Sequence, residues 1–170
     1  MKQAYYFDAE FIEEEIHKVI AFFNSLQEGD EVDFYLHSPG GYNHVMKTIQ
    51  RILETSKFPV TLIAAGEIQS AAFLLFYFAD VNKEMLPNTV AMAHTMTKEY
   101  DDRDMRQNSD YYQKSKKSLD AMNNRVIDIF NTYSVLTPKE MEDYINGEDI
   151  LILYEDLDAI MQNCPYGNYK

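Results

Sequence analysis

Ser70 stands where an apolar, strand-like run (residues 59–65) gives way to a hydrophobic stretch typical of a helix. A turn from strand to helix exposes free backbone N–H groups and a partial positive charge. A serine hydroxyl beside these groups is a candidate nucleophile. The alternative explanation is structural, because a lone serine before an apolar helix commonly caps that helix.

Two further features have a similar setting. The turn Pro39-Gly40-Gly41 directly follows a predicted strand, and its glycines let backbone N–H groups approach a ligand closely. His94 lies at the carboxyl end of another predicted strand, and parallel α/β sheets place their sites along that edge. Taken singly, the turn is commonly just a tight turn, and a histidine at a strand end is commonly a packed structural residue.

Strand and helix patterns alternate through the first half of the chain. The predicted strands are residues 3–7, 31–37, 59–65 and 89–94, and a predicted amphipathic or apolar helix follows each of the first three. Asp8 is predicted to cap the first helix. This alternation predicts an α/β fold, in which a parallel sheet carries helices on its faces.

The second half has a different character. From about residue 101 to 133 the sequence is polar and rich in Tyr and Lys, which predicts a long helix with a thin apolar stripe. This helix either packs against another subunit or lies solvated across the sheet. Beyond it, Thr137, Pro138 and Glu140 form a helix-start signature. A short strand (150–153), a last helix (154–161) and a loose tail (163–170) are predicted to follow.

Composition limits the function classes. The chain has 170 residues, enough for one domain, with 46% hydrophobic residues and a net charge of -13. This acidity argues against binding to nucleic acid or to anionic membrane surfaces. No apolar run is long enough to span a bilayer, and the N-terminal residues contain no apolar run of signal-peptide length, so neither a membrane span nor a signal peptide is expected. With a single cysteine, Cys164, the expected setting is reducing and cytoplasmic.

Three blocks of sequence, taken in order, resemble one family. They are Leu36-His-Ser-Pro-Gly-Gly41, Gly66-x-x-x-Ser70-Ala-Ala-Phe-Leu-Leu75 and Met85-Leu-Pro-Asn-Thr-Val-Ala-Met-Ala-His94. Together they are similar to the proteolytic subunit of the Clp protease (ClpP), in the ClpP/crotonase superfamily, over roughly residues 6–161. The resemblance implies a spiral of βαβ units with a projecting helical handle, which falls at about residues 101–134.

The resemblance also implies roles for individual residues. Ser70 is expected to be the nucleophile and His94 the general base, while the N–H groups of Gly41 and Ala71 form the oxyanion hole. The third member of the triad is expected at Asp149, which precedes the short strand and the last helix as in the family. Two other carboxylates, Asp143 and Asp156, look more like residues of solvated helix faces.

Partners follow from the same resemblance. A peptide or protein substrate and a ring-like homo-oligomer with the handle at a subunit contact are expected, without a metal or cofactor. His37 and His44 bracket the glycine turn but match no metal spacing. Because the chain starts almost at its first strand, dependence on an ATP-driven unfoldase is a weaker expectation. The charged segment at 95–104 contains no glycine, which suggests an altered grip on the substrate.

Two other functions are compatible with the sequence. A ClpP-fold protein that assembles without cutting would serve as a scaffold or regulator, and the charged segment after His94 favours it. A crotonase-like enzyme acting on acyl-CoA thioesters would share the fold and the glycine turn. Such an enzyme does not need a Ser–His pair, and an acidic surface suits the phosphates of coenzyme A poorly.

Overall fold

The computed structural model describes residues 1–97 and 110–170. Its elements are β1 (Lys2–Asp8), α1 (Glu13–Ser25), β2 (Glu31–Ser38), α2 (Asn43–Glu54), β3 (Val60–Gln69), α3 (Ala71–Phe78), β4 (Asn82–Met85), β5 (Val90–Ala93), α4 (Asp110–Thr132), α5 (Pro138–Ile145), β6 (Ile150–Ile152), α6 (Tyr154–Gln162) and β7 (Asn168–Tyr169). They fall into two compact units. The sheet unit comprises Met1–Ala93 and Leu151–Lys170, and the helical unit comprises His94–Ile150.

The strands of the described residues form a sheet around β3. The order is β1-β2-β3-β4-β7, and β5 pairs with both β3 and β6. The first half of β3 (61–64) pairs with β4, and its last residues (67–69) pair with β5. These contacts and those of β1 with β2, β2 with β3 and β4 with β7 are all parallel. The predicted α/β class with a parallel sheet is confirmed.

Burial in the sheet unit follows the sequence patterns. Every second residue of β2 is buried, as expected for a strand with one face on the core. The helix α2 buries one stripe, formed by Val45, Met46, Ile49 and Leu53. In contrast, all residues from Ala71 to Tyr77 in α3 are buried. A helix that is apolar on all sides lies in a core, so the core surrounds the helix that begins directly after Ser70.

The helical unit contains α4 and α5. Phe130 of α4 is buried and packs on Tyr144 of α5, with ring centroids 5.7 Å apart. The predicted start of α5 is confirmed, because Thr137 and Glu140 form a reciprocal capping box. Residues 101–109 of the predicted handle lie outside the described residues. No helix within 1–97 or 110–170 combines the length and the apolar character needed to cross a membrane.

Two predicted boundaries were wrong. Asp8 is the last residue of β1 and caps no helix, since α1 begins at Glu13 with Ile12 at its N-cap. The delay has a physical reason: Phe11 forms an isolated parallel bridge with Gly41, and this bridge needs extended backbone where the helix was expected. The second wrong boundary is the carboxyl end of β3, which was predicted at residue 65 and instead lies at Gln69.

The segment predicted as a loose tail is instead part of the sheet unit. β7 pairs in parallel with β4, and Gly167 N donates to Asp80 Oδ1 at 3.0 Å. Tyr169 also donates its hydroxyl proton to Asp158 Oδ1 at 2.6 Å. These partners of residues 163–170 lie on β4, on the loop that precedes β4 and on α6. Because the partners on β4 and on its preceding loop are distant in sequence, the local sequence of the segment does not predict its pairing.

A buried lysine holds the same segment. The Nζ atom of Lys83 donates to Tyr77 O and Tyr166 O, both at 2.8 Å, and lies 3.9 Å from Cys164 Sγ. The side chain is fully buried. Burial lowers the pKa of Lys83 to about 8, because a low-dielectric environment disfavours the charged amine.

This pKa predicts a measurable dependence of stability on pH. Between about pH 8 and 10 the unfolded chain still holds the Lys83 proton while the folded chain releases it, so this group makes folding more favourable as pH rises. From pH 7.5 to 9.5 the gain in unfolding free energy should be about 2 kcal/mol. We expect urea denaturation to show this gain in the parent and not in Lys83→Met. Equal pH dependence in the two proteins would contradict the lowered pKa.

Candidate active site

The junction of β3 and α3 holds Ser70 in an uncommon backbone conformation. Its φ is 54° and its ψ is -118°, a region that residues other than glycine rarely occupy and that costs about 1–3 kcal/mol. Both sides of the peptide are anchored. Ser70 N donates to Met92 O of β5 at 2.8 Å, and Leu74 N of α3 donates to Ser70 O at 3.1 Å. The neighbouring elements therefore impose this conformation on the serine.

The helix-capping explanation for Ser70 does not fit this geometry. Ser70 occupies the N-cap position of α3, but its side chain makes no capping hydrogen bond. The hydroxyl is thus not used to satisfy the first amides of the helix, which is what a capping serine does. Ala71, the first residue of α3, presents an N–H group that has no acceptor within the helix itself.

The glycine turn is held from two sides. Within the turn, Gly40 N donates to the buried Ser38 Oγ at 3.1 Å. From the other side, Phe11 N donates to Gly40 O at 2.7 Å and Tyr42 N donates to Phe11 O at 2.9 Å. In such a parallel bridge the central residue, Gly41, uses neither its own N–H nor its own C=O. The Gly41 N–H therefore points away from Phe11.

The two glycines are required for different contacts. A Cβ atom on Gly40 would lie 2.7 Å from Ser70 Cβ and 2.9 Å from Gln69 O. A Cβ atom on Gly41 would lie 2.6 Å from Phe11 N. Both glycines have positive φ, +104° and +133°. The nearest neighbours of position 41 are therefore the backbone atoms of Phe11, and Gly40 is the residue that abuts Ser70.

His37 supports the strand that leads to Ser70. A bulge separates the β2–β3 pairs Leu36–Ala64 and Ser38–Ile68, and the His37 ring fills it. Glu67 N donates to His37 Nδ1 at 3.0 Å, so this nitrogen is an acceptor. A Cβ on Gly66 would lie 2.8 Å from the same nitrogen. The glycine thus makes room for the ring, and this structural role of His37 was not predicted from the sequence.

His94 is the first residue of the helical unit and directly follows β5. Its Nδ1 lies 2.8 Å from Thr95 O. A carbonyl oxygen can only accept a hydrogen bond, so Nδ1 carries the proton in this contact. The neutral ring then has its lone pair on Nε2, which is the tautomer required of a base that takes a proton through Nε2.

The three candidate carboxylates differ in position. Asp149 is exposed and directly precedes β6, the strand that pairs with β5. Asp143 is half-buried on α5, and Asp156 is exposed on α6. The role of Asp149 as the third triad member stays a prediction.

Within the sheet unit, Gly40, Gly41, Ser70 and Ala71 are brought together by the contacts of the glycine turn with the β3–α3 junction. Phe11 was not predicted to be part of this site, and Gly40 was predicted only as a member of the turn, without a contact of its own. The Gly-Gly pair itself was the available signal for Gly40, because each glycine of a close-packed turn can serve a different contact. Phe11 acts through its backbone, so its residue type carries no such signal. Among the described residues, no group of three or more His, Cys, Asp or Glu side chains could hold a metal ion.

Comparisons with known proteins agree with this architecture. The sequence matches the family model described as Clp protease over residues 8–155. The structure is similar to that of a ClpP1 mutant from Listeria monocytogenes, with a TM-score of 0.71 and 17% identity. The match covers 98% of this chain and 91% of that chain. The predicted ClpP/crotonase-type fold is confirmed, whereas no curated protein sequence matches the chain.

The contact between Gly40 and Ser70 predicts a specific sensitivity. Gly40→Ala would place a methyl group against Ser70, whereas Gly29→Ala, at a similar φ of +88°, would place it in open space. Both changes introduce backbone strain of about 1 kcal/mol or more. Only Gly40→Ala should also displace Ser70 and stop its reaction with a fluorophosphonate probe. Labelling of Gly40→Ala at the rate of Gly29→Ala would show that the close contact does not position the serine.

Proposed function

Because this chain belongs to the Clp protease family, we propose that it is a ClpP-like serine peptidase that cleaves peptide bonds through an acyl-enzyme on Ser70. The observation that carries the proposal is the backbone of Ser70, with φ 54° at a strand-to-helix junction. Sharp turns of this kind expose the nucleophile in other serine hydrolases. Backbone strain also tends to cluster at functional sites.

The proposed reaction begins with attack of Ser70 Oγ on the scissile carbonyl carbon. His94 takes the hydroxyl proton at Nε2 and later delivers it to the leaving amine. Water, activated by the same imidazole, then hydrolyses the ester on Ser70. The contact of His94 Nδ1 with Thr95 O supports this role, because it favours the tautomer that has its lone pair on Nε2.

The N–H groups of Gly41 and Ala71 are proposed to stabilise the oxyanion that forms during attack. Two observations support them: the Phe11 bridge does not use the Gly41 N–H, and the Ala71 N–H is at the start of α3. The partial positive charge of a helix N-terminus favours a developing negative charge. Each such donor can contribute a factor of about 10²–10³ in kcat.

Asp149 is proposed as the carboxylate that compensates the charge of protonated His94. Its support is its position, since it directly precedes β6, which pairs with the strand that leads into His94. The substrate is proposed to be a peptide or protein, and the reaction uses no metal or cofactor. As in the family, the working form is proposed to be a homo-oligomeric ring, with α4 at a subunit contact.

One observation favours a second candidate function, a ClpP-fold scaffold or regulator that does not cut. His94 Nδ1 donates to a backbone carbonyl, and this neutral acceptor stabilises an imidazolium less than a carboxylate does. A site held in this arrangement would stabilise the charge that forms on proton transfer poorly and would cleave slowly or not at all. Reaction of Ser70 with an electrophilic probe separates the two functions.

Ser70→Ala should abolish both fluorophosphonate labelling and cleavage of a fluorogenic peptide. The matched control is Ser134→Ala, since Ser134 also has a positive φ, 51°, and is exposed on the helical unit. Both variants should keep the parent's mass by light scattering. Cleavage by Ser70→Ala at the parent rate would exclude Ser70 as the nucleophile, and an unlabelled parent that is folded and assembled would favour the scaffold.

Asp149→Asn should lower kcat by about 10²–10⁴-fold with little change in KM, because the charge of the imidazolium is then uncompensated. Asp156→Asn removes another exposed carboxylate, outside the proposed triad, and should leave kcat unchanged. Steady-state kinetics on one peptide would compare the two variants. If Asp149→Asn retained the parent's kcat, the Thr95 carbonyl would be sufficient to orient His94 and the site would be a dyad.

A further inference from the structure

Asn123 of α4 makes a pair of hydrogen bonds to the backbone of Met96. Met96 N donates to Asn123 Oδ1 at 2.8 Å, and Asn123 Nδ2 donates to Met96 O at 3.0 Å. Only one orientation of the amide satisfies both contacts, because the backbone N–H must meet the oxygen and the carbonyl must meet the nitrogen. The side chain thus binds both polar backbone groups of one residue, as a neighbouring strand would.

This pair holds the segment that contains the proposed base. Residues 94–97 belong to no helix or strand, although they directly follow β5. The His94 ring is tied to the same segment, because Nδ1 donates to Thr95 O. The carbonyl that orients the imidazole is therefore adjacent to the residue that Asn123 fixes.

We propose that Asn123 is a positioning residue for His94, which acts by fixing the backbone at Met96 and through it the Thr95 carbonyl. The expected effect on rate rests on the proposed peptidase function, whereas the hydrogen bonds between Asn123 and Met96 do not depend on it. Asn123 does not touch the substrate or the reacting atoms in this role. Asparagine is a poor helix former compared with alanine. Helix propensity therefore does not explain an asparagine at position 123, whereas its two hydrogen bonds to Met96 do.

The next residue provides a matched control. Asn124 is on the same helix and has the same intrinsic helix propensity, but it is exposed and makes no hydrogen bond to the segment at 94–97. Asn123→Ala and Asn124→Ala therefore change helix propensity equally, and only the first removes the pair of bonds to Met96. Asn123→Asp keeps an acceptor for Met96 N but loses the donor to Met96 O, so it tests the second bond separately.

The first measurement is the ¹⁵N NMR spectrum of the imidazoles in full-length, assembled protein, with the His94 signal assigned from the spectrum of His94→Gln. We expect the Nδ1–H tautomer in the parent and in Asn124→Ala. A mixture of the two tautomers is expected in Asn123→Ala, where the Thr95 carbonyl is no longer fixed. An unchanged His94 signal in Asn123→Ala would overturn the proposal whether or not the protein is a peptidase.

The second measurement is the rate of Ser70 labelling by a fluorophosphonate, with peptide hydrolysis alongside it. Misplacing a catalytic group by about 1 Å can cost about 10²-fold in rate. We expect Asn123→Ala and Asn123→Asp to lower the labelling rate and kcat roughly 10- to 100-fold, with KM and oligomer mass unchanged. Rates equal to those of Asn124→Ala would overturn the positioning role. A parent protein that neither reacts with the probe nor cleaves peptide would refute the peptidase function. The NMR result would still show whether Asn123 fixes the tautomer of His94.

Discussion

The rest of the site depends on the positive φ of Ser70. An isolated chain would avoid this conformation, which is unfavourable by about 1–3 kcal/mol. The core helix that follows is large enough to offset it, because each fully buried Phe or Leu side chain contributes roughly 1.5–3 kcal/mol and α3 contains several of them. The bond from Ser70 N to Met92 O then fixes the start of α3 against β5. Burial of the seven residues Ala71–Tyr77 thus maintains the strained backbone conformation of Ser70.

A second constraint is the space available beside the serine. The glycine turn is confined between Ser70 on one side and the Phe11 backbone on the other, at distances that admit no Cβ atom on Gly40 or Gly41. The Phe11 bridge therefore orients the turn, and in doing so it determines where the Gly41 N–H points. A residue of the β1–α1 connection consequently shapes the site through main-chain bonds alone.

The sequence predicted what depends on near neighbours. The alternation in β2, the apolar run of α3 and the capping box at Thr137 are local patterns, and each was confirmed. The errors all involve distant partners. The start of α1 is delayed by Gly41, and the presumed tail pairs with β4. The candidate site shows the same division: its glycine turn and serine were visible as motifs, whereas Asn123 looked like any polar residue on a solvated helix.

Orientation and charge compensation of His94 are separable in this chain. A backbone carbonyl at Nδ1 is sufficient to fix the tautomer and the ring direction, because those need only an acceptor at 2.8 Å. It would do little for the imidazolium that the proposed proton transfer forms, since a dipole stabilises a cation less than a carboxylate does. A triad carboxylate usually does both. In the proposed mechanism, the Thr95 carbonyl next to the Met96–Asn123 pair would supply the orientation of His94, so the proposed carboxylate, Asp149, would be needed for its charge alone.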